Sequence, residues 1–126
     1  MKNYISAALS FVTGLQFMVF GANKFLLFFV PPPPSHPAAQ LFMQGMFGSY
    51  LAGFTGLIEI TGGILLLISR VRFLGLLLLM PVVVNIIIYH IAYDNPGNMI
   101  WIELGLLYLG LSYLYKKQFL TLITIR

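Results

Sequence analysis

Phe73–Tyr93 reads FLGLLLLMPVVVNIIIYHIAY, 21 residues without a single Asp, Glu, Lys or Arg. A run of about 20 mostly apolar residues is what an α-helix needs to cross roughly 30 Å of hydrocarbon. In water the β-branched stretches Val82-Val83-Val84 and Ile86-Ile87-Ile88 would favour a strand. Lipid offers no partner to free backbone groups, so a segment inside it must be a helix whatever its local preference. Pro81 lies within the run and marks the place where that helix is open to a kink.

Working outward, three more segments meet the same criterion, which sets spans at about 4–29, 50–68, 73–93 and 99–115, with a Pro-rich loop over 30–49. The expected fold is all-α: one transmembrane domain over residues 1–126, an integral membrane four-helix bundle. Composition agrees, because 60% hydrophobic residues, 8% charged residues and a mean hydropathy of +0.94 lie outside the range of soluble domains. Met1-Lys2-Asn3 before an apolar run resembles a secretory signal peptide. The run continues to Val30, too long for an h-region, and carries no clear small-x-small cleavage site, so it reads as the first span. With no cysteine, disulfides, thiol relays to a quinone and thiolate-held zinc or iron-sulfur clusters are excluded.

Threading four spans alternately puts Lys2, Arg70, Arg72, Lys116, Lys117 and Arg126 on one side, which the positive-inside rule makes cytoplasmic, with both termini. The opposite loops carry only His36 and Asp94. Aromatic belts agree, with Tyr4, Tyr113 and Tyr115 at the inner boundary and Tyr50, Tyr93 and Trp101 at the outer. The net charge of +4 is thereby accounted for at helix ends, and no basic-aromatic stripe points to nucleic acid. In the outer loop, Pro31-Pro32-Pro33-Pro34-Ser35-His36-Pro37 predicts a stiff polyproline segment. Ala38 to Phe47 is too short to span and reads as an interfacial or re-entrant helix over the outer mouth, a plain connector being the alternative. Gln118 to Ile125 is also too short, and either continues the fourth helix or lies on the inner surface.

Inside the spans stand Lys24, Glu59 and Glu103, each of which alone costs about 2.5 to 3.5 kcal/mol at the bilayer centre. At 1.5 Å per residue they fall about 7, 13 and 6 Å below the outer boundary. Asn85 at about 12 Å and His90 at about 5 Å come from the third span, and Asn23 flanks the lysine. All four helices therefore contribute to one polar layer, in which Lys24 is expected near one or both carboxylates and Asn85 bonded across helices. Ala52, Thr55, Gly56, Glu59, Gly62 and Gly63 share one face of the second span, which turns Glu59 toward a tight interface. Asn85 and His90 differ by about 140° and cannot both point at one centre. The layer reads equally as a functional site or as an ion-pair network that fixes helix register. For His90 a hydrogen bond to a neighbour is the commoner outcome than ligand or proton chemistry. Glu59, Glu103 and His90 have acceptable ligand types for a metal, but nothing in their spacing selects one.

Three stretches, GLQFMVFGANKF at 14–25, GLIEITGGILLLISR at 56–70 and PVVVNIIIYH at 81–90, resemble the DoxX family of small four-span membrane proteins over nearly the whole chain. Lys24-Phe25 closing the first span and the Glu59 segment with its glycines and following Arg70 carry most of the likeness. The resemblance implies a bacterial cytoplasmic membrane protein linked to quinone chemistry and membrane oxidoreductases, with Lys24, Glu59, Asn85 and His90 as the carried-over positions. Glu103 joins the site from its depth alone.

Three functions compete. In the first, the polar layer receives a quinone head group, Lys24 or His90 donating a hydrogen bond and Glu59 or Glu103 handling protons, and a membrane or peripheral redox partner supplies electrons. The second is a small proton-coupled transporter, against which stands a first span that carries Lys24 rather than an acid. The third is a non-catalytic assembly factor whose polar layer is cement, and whose Gly105 and Gly110 could pack a partner helix, or a second copy of the chain, as readily as an internal helix.

Overall fold

The computed structural model describes residues 2–30, 33–93 and 100–124, and the chain is all-α. Expectations resting on Pro31, Pro32, Asp94, Met99, Ile125 and Arg126 lie outside the described residues. Six α-helices follow one another: α1 (Lys2–Leu26), α2 (Pro37–Phe47), α3 (Leu51–Leu67), α4 (Arg72–Tyr93), α5 (Ile100–Leu114) and α6 (Lys116–Ile123), with a 3-10 turn at Ser69–Val71 before α4.

Among the described residues, Tyr4–Leu26 and Ser69–Tyr93 are long and apolar enough to cross a membrane. A third crossing is reached if α2 and α3, which meet at a bend of 79°, count as one broken span. α5 is apolar but has only 15 residues, a rise of about 22 Å. Large apolar side chains including Phe11, Val19, Leu57, Leu74, Ile88, Leu106 and Leu109 are exposed around these helices, a surface compatible with a membrane protein.

Each helix boundary has a local cause. α1 stops at Leu26, three residues before the expected Phe29, because Leu27 turns into the left-handed region at φ 52°. Asn23 fixes that turn, its Nδ2 donating to Phe29 O at 2.9 Å and its Oδ1 accepting from Phe29 N at 3.0 Å. α2 begins where the sequence places it, with Pro37 in the first turn and His36 as cap, Nδ1 accepting from Ala38 N at 3.1 Å. Gly48 closes it, donating to Gln44 O at 2.8 Å. At the other extreme of the chain, α5 breaks at Tyr115 and α6 follows as a separate helix, with Phe119 set edge-on to Phe73 at 4.8 Å.

α1 packs on α3 and α5, and α4 packs on the same two. The glycines define the closest contact. A Cβ on Gly14 would sit 2.8 Å from Gly63 O, and one on Gly63 would sit 2.6 Å from Gly14 O. Seven residues along each helix, Gly21 and Gly56 repeat the arrangement at 2.6 and 2.9 Å. The pairing of 14 with 63 and 21 with 56 makes α1 and α3 antiparallel, with backbones touching where any side chain would hold them apart. On its other side α3 meets α4, where a Cβ on Gly75 would lie 2.9 Å from Gly62 O. Phe17, Leu66, Leu76, Leu79, Val83, Leu104, Tyr108 and Leu111 fill the space between the helices, and the Tyr108 hydroxyl donates to Leu76 O at 2.6 Å.

The antiparallel order gives the molecule two unlike ends. The last turn of α1, the segment from Pro33, α2 and the last turn of α4 form the proline end; the first turns of α1 and α4 with α6 form the basic end.

A leucine at position 63 would force α1 off α3, and Gly63→Leu is expected to cost about 3 kcal/mol or more. Gly45 has open space at its Cβ, so Gly45→Ala should be neutral or slightly stabilising. Unfolding midpoints of the two variants in the same detergent check the contrast.

Candidate functional site

Of the small face expected on α3, Ala52, Gly56, Glu59, Gly62 and Gly63 are buried and Thr55 is half-buried; Gly56, Glu59 and Gly63 meet α1 as predicted, whereas Gly62 turns to α4, where its Cβ position meets Leu79. Lys24 stands in the last turn of α1, where the helix dipole favours a cation. Its Nζ lies 2.7 Å from Glu59 Oε1, with the two side chains 16% and 3% exposed. The pair is seated on the second glycine crossing. A Cβ on Gly21 would meet Glu59 Cβ at 3.0 Å, and one on Gly56 would meet Lys24 Cβ at 3.3 Å. With so little backbone between the helices the charges meet directly, and their attraction acts in a weakly screened environment. Among the described residues this is the one ion pair.

The remaining members of the expected polar layer disperse. Glu103 does not reach Lys24; both its oxygens accept from Gln16 Nε2 at 2.8 Å, on an exposed face of α5. Gln16 lies eight residues before Lys24 on α1, about 12 Å nearer the basic end, so α5 sits lower against α1 than the span boundaries predict. Asn85 is exposed and has no side-chain partner among the described residues, so it is not bonded across helices. The 140° between Asn85 and His90 is resolved in favour of His90. That ring stacks on Trp101 of α5 at 5.1 Å and 11°, and its Nδ1 lies 2.8 Å from Ile86 O. A carbonyl only accepts, so the proton is on Nδ1. His90 is thus a half-buried histidine bonded to its own helix.

No group of three or more His, Asp or Glu side chains capable of holding a metal occurs among the described residues.

Sequence reading missed two features. The first is a pocket of about 360 Å³ at the proline end, walled by Leu27, Val30, Pro34, Met43 and Phe47. Asn23 and Gln40 also line it, but their amides are engaged in holding its frame: Asn23 ties the chain at Phe29, and Gln40 Nε2 donates to Pro34 O at 2.9 Å. Gln44 faces the same space with a carboxamide that has no partner among the described residues.

The second is Arg72, grouped by sequence with the loop cations, yet 8% exposed. Nε donates to Leu66 O at 2.8 Å, and Nη1 donates to Ser6 Oγ at 3.1 Å and to Tyr115 OH at 3.4 Å. One guanidinium on α4 thereby joins the last turn of α3, the first turns of α1 and the residue that ends α5. Ser6, Ser10 and Thr13, buried at four- and three-residue spacing, were the signal for an inward polar stripe on α1.

No protein-family model, curated protein or solved structure matches this chain.

Removing one partner of the buried pair strands the other, so Glu59→Gln and Lys24→Met are each expected to cost about 3 kcal/mol. The double variant should recover a substantial part of the summed loss. Thermal unfolding of all four proteins gives the coupling; strictly additive losses would show that the 2.7 Å contact carries no energy.

Proposed function

We propose that the chain is a DoxX-type membrane protein of four spans, with both termini cytoplasmic, that binds a quinone-class lipophile in the pocket at its proline end. The topology is supported by the clustering of the α1 amino terminus, Arg70, Arg72, Lys116 and Lys117 at one end of the antiparallel helices, which the positive-inside rule makes cytoplasmic. α5 is the short span of the four. Local thinning of the bilayer accommodates a short helix, with Trp101 near one end of α5 and Tyr113 near the other as interfacial anchors. A bacterial cytoplasmic membrane is the matching address.

The observation that carries the functional reading is the pocket. Its volume falls in the range of small-molecule sites, its walls are apolar, and it offers one unengaged amide. A quinone ring needs a flat apolar slot and a donor for a carbonyl oxygen; Gln44 supplies the donor, and Met43 and Phe47 supply slot walls that suit an isoprenoid tail. Lys24 is not part of this reading, because its ammonium is committed to Glu59. The ion pair holds α1 against α3, and Asn23, the residue before Lys24 on α1, lines the pocket. Any electron transfer to the bound quinone belongs to an external carrier or redox partner.

Saturable binding of a menaquinone or ubiquinone analogue to protein in nanodiscs is expected. Gln44→Leu should weaken it about tenfold, the worth of one hydrogen bond. Met43→Trp should abolish it by filling the cavity, with the fold intact by circular dichroism. Absence of saturable binding in the wild type would sink the proposal.

A further inference from the structure

The basic end buries a charge that no acidic side chain among the described residues neutralises. Arg72 donates to a backbone carbonyl and two hydroxyls, all neutral, and its Nη2 donates to nothing among the described residues. The Tyr115 hydroxyl accepts from both Ser6 and Arg72, so its own proton is also uncommitted there. The sequence holds three acidic side chains. Glu59 is paired with Lys24, and Glu103 is bonded to Gln16. Asp94 lies outside the described residues. Arginine carries a permanent charge, and a buried charge facing only neutral acceptors is costly.

We propose that Arg72, with the Ser6 and Tyr115 hydroxyls beside it, recognises a phosphate-type anion, most directly the headgroup of an acidic phospholipid. The planar guanidinium matches phosphate oxygens in a two-point arrangement, and the free Nη2 and the Tyr115 O–H are donors converging on the same side chain cluster. Arg70, Lys116 and Lys117, exposed around this end, raise the local concentration of anions without forming the site. The lipid source follows from the membrane reading, whereas the phosphate chemistry follows from Arg72 itself.

Native mass spectrometry of the full chain titrated with phosphatidylglycerol or phosphatidylcholine separates site from surface. One phosphatidylglycerol per chain should be retained at least tenfold more tightly than phosphatidylcholine. This preference should persist in the K116Q/K117Q double variant and disappear in R72Q. Y115F keeps the ring and the arginine but removes one donor, so it should weaken retention severalfold, and it decides the matter if R72Q does not fold. In lipid-free detergent, a rise in unfolding midpoint of several degrees with millimolar inorganic phosphate would identify a soluble anion as the occupant. Equal retention of the two lipids with no effect of phosphate would overturn the proposal. So would a preference that vanishes in K116Q/K117Q but survives in Y115F.

Discussion

Everything else in this molecule depends on α1 and α3 touching backbone to backbone. In hydrocarbon there is no hydrophobic force between helices, since lipid tails are as apolar as leucine, so association rests on close packing and polar contacts. Two glycine pairs spaced seven residues apart, Gly14 with Gly63 and Gly21 with Gly56, supply the packing. Lys24 and Glu59, set over the second pair, supply the polar contact. The two are linked, because side chains at the crossings would hold the charges apart, and Phe17 of α1 and Leu66 of α3 add apolar packing in the same core. α3 then presents Gly62 to α4 from its other side, so the same small-residue helix positions both neighbours.

The helices were legible in the sequence because the solvent dictates them. A run such as Phe73–Tyr93 leaves the backbone no other option in lipid, and α4 spans Arg72–Tyr93 despite its β-branched stretch and Pro81. Glu59 was legible too, because a repeat of Ala52, Gly56, Gly62 and Gly63 fixes which way an α-helix faces. What failed was depth. Counting residues from a span boundary put Glu103 level with Lys24, but a boundary read from hydropathy carries no information on how far one helix is displaced along another. Gln16, not Lys24, is opposite Glu103. Asn85 failed for a related reason: five residues separate it from His90, so one of the two had to face outward, and the contact with Trp101 decided which. Arg72 was placed with the loop cations by its position, which does not say where the side chain goes, and an arginine stem is long enough to turn back into the helices.

The two ends of the molecule meet the problem of unpaired backbone groups by different means. At the proline end side-chain amides replace a missing secondary structure: Asn23 gives Phe29 both a donor and an acceptor, and Gln40 caps the carbonyl of Pro34. The chain is tied to α1 at Phe29 and to α2 at Pro34, and the pocket lies among these segments. At the basic end a single guanidinium takes a terminal carbonyl of α3 and binds the hydroxyls of two other elements, which closes the helices together instead of holding them apart.

The separation of Lys24 and Glu59 along the chain has a consequence for biogenesis. Glu59 lies 35 residues after Lys24, which at 5 to 20 residues per second is about 2 to 7 s of ribosome time. Lys24 is therefore synthesised before the carboxylate that neutralises it in the folded chain. Lys24 stands in the last turn of α1, close enough to a boundary for its long stem to carry the ammonium into headgroup water during that interval. Once α3 packs on α1, the ammonium has Glu59 as its partner at 2.7 Å. The order of synthesis thus makes the lysine the waiting partner and the glutamate the one that commits the fold.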